Sequence, residues 1–263
     1  MVTHRMLLVV YLATISLLVG SFLNVVIYRV PRRESIVRPS SHCPKCGHVL
    51  HTWELIPVLS WLSLRGRCHA CHTRISWRYP AMELLTLAAS MFVLWKVGLH
   101  WVLIPSLMFT WILLALSAID LETHLLPDRI TKPGMVLGLL VNASWFIGTH
   151  PVIALTTPLN AVLGLSFGYG GLWLFAFAYR RITGVHGMGG GDLKMLGMIG
   201  AWLGWQSMLF SLWVGGLVGG VVAIAYLMAG KGRQYAIPFG PYLAAGAFAA
   251  MLYASAAWGY LAS

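Results

Sequence analysis

Apolar residues fall in long blocks separated by short polar stretches. Blocks of roughly the 17–25 residues needed to cross a hydrocarbon core lie near 6–28, 81–97, 101–119, 134–149 and 159–179. Residues 194–229 are too many for one crossing and read as two helices turning near Gly204-Trp-Gln206. A last block covers 238–261. The pattern predicts an all-α polytopic membrane protein with about eight transmembrane helices. Most blocks are hydrophobic on every face, so helical periodicity adds little. The first block lacks an A-x-A-like cleavage site and runs straight into Arg29-Val-Pro-Arg-Arg33, so it reads as a retained anchor.

Composition agrees. Hydrophobic residues make up 59% and charged residues 10% of the chain, with a mean hydropathy of +0.77, which excludes a soluble domain. The charges then orient the helices. With the N-terminus outside, the cytoplasmic stretches are 29–80, 120–133, 180–194 and 230–237, and of the 18 Lys and Arg only Arg5 and Lys96 fall elsewhere. That is the positive-inside distribution. The net charge of +11 therefore reports topology and contact with anionic lipid. No nucleic-acid-binding motif accompanies it.

All four cysteines lie in one polar insert, as Cys43-Pro-Lys-Cys46 and Cys68-His-Ala-Cys71. Two C-x-x-C pairs at this separation are the pattern of a closed four-thiolate zinc site, each pair forming a knuckle that turns two thiolates onto one metal. Gly47 stands where such a knuckle commonly needs a left-handed residue. Two disulfides are the alternative, disfavoured on a reducing face. His42, His48, His69 and His72 crowd the knuckles and read as surface histidines, with replacement of a cysteine ligand as the competing role. A closed site has no open coordination position, so the Zn2+ is expected to be structural. A zinc-ribbon-like lobe this small needs such a staple. The apolar stretch Trp53 to Leu64 is too short to span and is expected to lie on the membrane surface. The domain organisation expected is a first helix at 1–28, a cysteine domain at 29–80 and a transmembrane domain at 81–263.

The chain has seven acidic residues. Two of them, Asp120 in Ala118-Ile-Asp-Leu-Glu-Thr-His-Leu-Leu-Pro-Asp128 and Asp192 in Gly187-Met-Gly-Gly-Gly-Asp-Leu-Lys194, stand at the ends of apolar blocks on the same side. Ionisable groups in a membrane are costly and mark functional sites. A carboxyl pair at a dry boundary suits acid–base hydrolysis of a peptide bond, one group activating water and the other polarising the carbonyl. By the helix macrodipole, Asp192 before its helix should ionise the more readily and Asp120 at a helix C-terminus the less. Each has a plainer reading: Asp192 as the cap of a helix starting at Leu193, Asp120 as a solvated helix end. Asp128 reads as a turn residue after Pro127, and Glu122 and Lys194 as interfacial charges. A proton-coupled transporter using the two aspartates as a relay is the rival, which calls for an inverted repeat with broken helices at midplane. No convincing repeat is visible.

At these residues the chain resembles the type IV prepilin peptidase family of aspartic proteases. Gly20-Ser-Phe-Leu-Asn-Val-Val-Ile-Tyr-Arg-Val-Pro31, the cysteine module with Ile56-Pro-Val-Leu-Ser-Trp61, Arg65-Gly-Arg-Cys68 and Ile75-Ser-Trp-Arg-Tyr-Pro80, then Asp120 with Leu126-Pro-Asp128 and Gly189-Gly-Gly-Asp-Leu-Lys194 carry the resemblance. Ala201-Trp-Leu-Gly-Trp205 and Ile237-Pro-Phe-Gly-Pro241 complete it. The resemblance implies cleavage of a basic leader after a glycine in prepilins and type II secretion pseudopilins, at the cytoplasmic boundary of the bacterial inner membrane, by Asp120 and Asp192. It also implies N-methylation of the new N-terminus from S-adenosylmethionine. No Rossmann-type glycine fingerprint is visible, so methyl transfer rests on the resemblance alone. The departures are Val185-His186, where many relatives carry an acid, and Leu55, where they often have asparagine. Gly20, Ser21 and Asn24 in the first helix read as small residues for helix packing, or as lining of a substrate path.

Overall fold

The computed structural model describes residues 2–144, 154–184, 189–230 and 237–261. The departure at Val185-His186, the start of the glycine motif at Gly187-Met188, the end of the expected fourth helix at 145–149, and Lys231 and Arg233 lie outside the described residues. The described chain is mostly helical: α1 (Val2–Arg29), α2 (Leu59–Ser63), α3 (Arg78–Val97), α4 (Leu103–Thr123), α5 (Asp128–Ala143), α6 (Pro158–Leu165), α7 (Leu172–Thr183), α8 (Gly190–Met228) and α9 (Gly240–Leu261). It divides into two compact units, Met1–Trp95 and Lys96–Ser263.

Five stretches among the described residues are long and apolar enough to cross a membrane: Arg5–Arg29, Arg78–Val97, Leu103–Thr123, Pro158–Thr183 and Gly190–Met228. The expectation of about eight is met only in part. Helix α5 has 16 residues, short of the roughly 20 a crossing takes. The 194–229 block lies, but for its last residue, within Gly190–Met228, 39 residues that form two helices joined across a kink. The kink falls at Gly204 (φ 85°, ψ 171°), where the turn between two helices was expected. Only glycine takes this φ without strain. Helices α6 and α7 join through a π-helical turn, Ser166–Gly171.

Local chemistry sets the helix ends. Pro158 fits the first turn of α6, where no N–H is needed, and Thr157 caps it by accepting the Asn160 N–H at 3.3 Å. Helix α7 stops at Gly184 in the left-handed conformation. Helix α4 stops at His124, also left-handed, whose N–H returns to the Asp120 carbonyl at 2.9 Å.

In the first unit, α1 and α3 meet through small groups. A Cβ on Gly20 would lie 2.7 Å from the Glu83 Cα, and Asn24 Nδ2 donates to the Tyr79 carbonyl at 3.1 Å. These residues therefore serve helix packing. Between the helices the chain folds into the cysteine lobe, with a 3-10 turn at Thr52–Leu55 and then α2. The Glu83 carboxylate accepts the N–H of Val58 at 2.7 Å, which holds that residue in a left-handed conformation (φ 62°). Trp53, Ile56, Leu59 and Leu62 are exposed, an apolar surface of the sort expected for a stretch resting on a bilayer.

In the second unit, α8 packs against α5, α6, the π turn and α9, and α9 also packs on α4. Every residue of α8 from Met195 to Gly204 is buried. Backbones touch where α6 crosses α8: a Cβ on Gly200 would lie 2.2 Å from the Gly164 carbonyl oxygen, and one on Gly164 would lie 2.4 Å from that of Gly200. Such contact lets helices associate where lipid supplies no hydrophobic drive. Trp202, fully buried, stacks on Phe109 of α4 with ring centroids 5.2 Å apart and donates to the Gly134 carbonyl at 2.8 Å. The break at Gly204 takes the carbonyls of Ala201 and Trp202 out of the regular helical ladder. Buried Asn142 supplies both with a donor, at 2.9 and 3.0 Å, while its Oδ1 accepts the N–H groups of Leu155 and Thr156 at 2.9 Å each. The amide thus makes four hydrogen bonds and leaves none of its capacity unused.

Candidate functional site

Asp120 and Asp192 come from helices far apart in sequence. Asp120 lies in the last turn of α4 rather than beyond its end, and is buried. Its Oδ2 accepts the N–H of Gly240, the first residue of α9, at 2.7 Å. A side chain at position 240 would collide with it, since a Cβ there would sit 2.8 Å from Oδ2. Asp120 is thus at the C-terminal end of its own helix and at the N-terminal end of another. The second helix opposes the macrodipole effect that the first was expected to exert.

Asp192 lies in the first turn of α8, half-buried. The helix begins at Gly190 with Gly189 as its N-cap, so Asp192 is the third helical residue rather than the N-cap of a helix starting at Leu193. Its carboxylate turns back toward the cap, and a Cβ on Gly189 would lie 3.0 Å from Asp192 Oδ2. The glycines admit the carboxylate against the backbone, and an acidic group in the first turn is favoured by the helix dipole. The segment that follows Asp120 meets the start of α8 beside Asp192: a Cβ on Gly191 would lie 3.0 Å from the Leu126 Cβ. Two carboxyls that meet repel when both are ionised, so such a pair shares a proton more readily than it carries two charges.

The Asp128 and Lys194 side chains, each read from sequence as peripheral, instead form an ion pair. Asp128 opens α5 and also pairs with Lys132 one turn on, at 2.8 Å. Lys132 first, and then Lys194, hold the Asp128 carboxyl below its ordinary pKa. The pair ties the segment after Asp120 to the segment after Asp192. Neither this pair nor the Gly240 donor was foreseen. The one signal for Gly240 was its place in Ile237-Pro-Phe-Gly-Pro241 at the start of the last apolar block.

In the first unit the four cysteines converge. Their sulfurs lie within 4.8 Å of one another, with Cys43–Cys71 at 3.8 Å and Cys46–Cys68 at 3.9 Å. A tetrahedral metal with bonds of about 2.3 Å would hold its sulfurs about 3.8 Å apart. The donor set therefore fits Zn2+. No disulfide joins these residues. The two knuckles repeat one design. Cys43 N–H bonds to the His48 carbonyl at 2.9 Å, and Cys68 N–H to that of Thr73 at 2.8 Å; the first cysteine's carbonyl then accepts from Gly47 or His72 at 2.9 and 3.0 Å. Gly47 and His72 occupy equivalent left-handed positions, with φ of 72° and 55°. The predicted role for Gly47 holds, and a histidine does the same in the second knuckle.

Crowded thiols do not ionise alike. The N–H groups of Cys46 and Lys45 hold the Cys43 thiol below its usual pKa, and Thr73 lowers Cys71 to about 6. Cys46 is pushed up to about 12: the His48 N–H draws it down, but loss of water and the neighbouring thiols prevail. A dication would relieve this conflict by neutralising the set.

The fold and these two clusters define a polytopic helical membrane protein bearing a four-cysteine lobe and a buried pair of acids. Residues 14–97, with all four cysteines, match the model of the bacterial peptidase A24 N-terminal domain. Residues 107–224, with both aspartates, match that of the type IV leader peptidase family. The chain is 41% identical to a prepilin leader peptidase/N-methyltransferase of Pseudomonas putida, over 92% of this chain and 90% of the relative. It is 40% identical to one from Neisseria gonorrhoeae over 88% and 85%, and 37% identical to one from Pseudomonas aeruginosa over 95% and 92%. The protein belongs to the type IV leader peptidase family. No solved structure gives a significant match.

Proposed function

We propose that this protein is an aspartic endopeptidase of the bacterial inner membrane that removes the basic leader from type IV prepilins and pseudopilins and N-methylates the new N-terminus. Asp120 and Asp192 are its catalytic pair. One carboxylate takes a proton from water as it attacks the scissile carbonyl, and the other, protonated, donates a hydrogen bond to the carbonyl oxygen. What supports this reading is a pair of acids, one buried and one half-buried, at the ends of α4 and α8, with the residues Leu126 and Gly191 near them in contact. Both stand in the terminal turn of a helix, whereas a transmembrane relay calls for carboxyls near midplane. A precursor whose cleavage site lies at the cytoplasmic boundary meets such a pair without leaving the bilayer, and fixed position supplies much of the rate.

The remaining assignments follow from the same reading. Cys43, Cys46, Cys68 and Cys71 hold a structural Zn2+ with no open coordination position. S-adenosylmethionine supplies the methyl group. The N-terminus is outside, and the cysteine domain (29–80) and both aspartates face the cytoplasm. The first helix (1–28) and the transmembrane domain (81–263) flank the cysteine domain.

The test is cleavage of a model prepilin in proteoliposomes by wild type, Asp120→Asn and Asp192→Asn, each verified as folded. We expect each folded variant to lose roughly 10²–10⁴-fold in rate. Full cleavage by either variant removes that residue from the mechanism.

A further inference from the structure

Beside the four thiols, the cysteine lobe gathers a second set of metal-binding side chains. His48, His51 and Glu54 each present a ligand atom within 4.8 Å of the other two. Glu54 sits on the 3-10 turn, with its side chain 1% exposed. Its Oε2 accepts the His51 N–H at 2.7 Å and lies 3.1 Å from His48 Nε2. Its Oε1 is buried and has no hydrogen-bond partner. A buried acceptor left in that state is costly, more so on a carboxylate. The other oxygen of this carboxylate faces the His48 imidazole, and the His51 ring lies edge-on to that of His48 with centroids 5.3 Å apart, so further lone pairs stand beside the carboxylate.

We propose that His48, His51 and Glu54 form a second divalent-metal site, separate from the four-thiol site and with at least one coordination position open to solvent. Two imidazoles and a carboxylate suit Zn2+, Co2+ or Ni2+, whereas Mg2+ and Ca2+ prefer oxygen alone. Three protein ligands leave a tetrahedral ion one position for water. With bonds of about 2.0–2.2 Å, such an ion holds neighbouring ligand atoms about 3.3–3.6 Å apart. The 3.1 Å between His48 and Glu54 needs only a small expansion to admit it. His51 is exposed and its ring already lies edge-on to that of His48, so the open position faces water. An ion there would draw on the Glu54 carboxylate, whose Oε1 lacks a partner, and tie the first knuckle to the 3-10 turn. The two sites are joined through the backbone, because the His48 carbonyl accepts the N–H of Cys43.

The experiment uses full-length, untagged protein in detergent, stripped with a chelator and titrated with Co2+. Intense thiolate-to-cobalt charge transfer reports the cysteine site, and weak ligand-field bands without it report the second. The expected result is two equivalents bound by wild type. Glu54→Gln and His51→Ala should bind one, with the charge-transfer signal intact. A single equivalent in wild type overturns the proposal, as does a second equivalent that survives in both variants. Should Glu54→Gln lose the thiolate signal through disruption of the lobe, the exposed His51→Ala decides between the same two outcomes.

Discussion

In the cysteine lobe, two eight-residue knuckles fold alike and turn four sulfurs onto a space the size of one ion. In the unit around α8, by contrast, order comes from having nothing in the way: at Gly164 and Gly200 the backbones themselves touch. The lobe is specified by groups that want a partner, the bundle by groups that are absent. The first kind of order should fail when a ligand is removed, and the second when atoms are added.

The largest effect is therefore expected from Cys68→Ser. Structural zinc contributes roughly 10–16 kcal/mol in small zinc domains, so this change should abolish bound metal and unfold the lobe. Metal analysis and protease sensitivity confined to residues 29–80 would check it. Normal metal content would refute the four-thiol site. Gly200→Leu comes next: a side chain aimed at the Gly164 carbonyl cannot be accommodated without parting α6 from α8. We expect destabilisation above the 4–5 kcal/mol that marks an exceptional substitution, with zinc still bound. If the variant unfolds both regions together in a denaturant titration, the contrast drawn above is wrong.

Smaller changes sharpen the contrast. His72 carries a left-handed conformation that costs a residue with a Cβ about 1–2 kcal/mol, and the matching position in the other knuckle is Gly47. His72→Gly should therefore raise the lobe's stability, by less than that amount because glycine loses more freedom on folding. A lowered midpoint would mean the imidazole contributes more than its backbone strain. The smallest effect is expected at Asp128. Its folded pKa is depressed, so its contribution is present above the unfolded value of about 3.9 and is lost as pH falls through the lower folded value. The pair is partly exposed, so Asp128→Asn should cost only a fraction of the 0.2–1 kcal/mol typical of such pairs. The difference from wild type should vanish in acid and shrink in high salt.

Length made much of this fold legible. Apolar blocks located α1, α3, α4 and the α6–α7 stretch to within a few residues, and the excess length of 194–229 pointed to the break at Gly204. The cysteine spacing foretold the knuckles because two thiolates on one metal leave few backbone paths. What stayed hidden depends on encounters between segments. Asn142 is a polar residue within the apolar block 134–149, and only the carbonyls freed at Gly204 explain it. Gly164 and Gly200 were two glycines among 28. Lys194 and Asp128, and likewise Glu54 and His48, each looked plain until their partners arrived. Asp120 and Asp192 were found because charge is scarce here, whereas the Gly240 N–H, a group every residue but proline possesses, gave no such signal.

The hydrogen bond from Gly240 to Asp120 spans 120 positions, and that separation imposes a schedule. A chain made from its N-terminus carries Asp120 into the bilayer long before α9 exists. Until the ribosome has added the segment that begins α9, the Asp120 carboxylate lacks its donor. The surroundings of Asp120 are thus completed only once α9 has been made, and a nascent chain that stops before Gly240 lacks the N–H that Asp120 accepts.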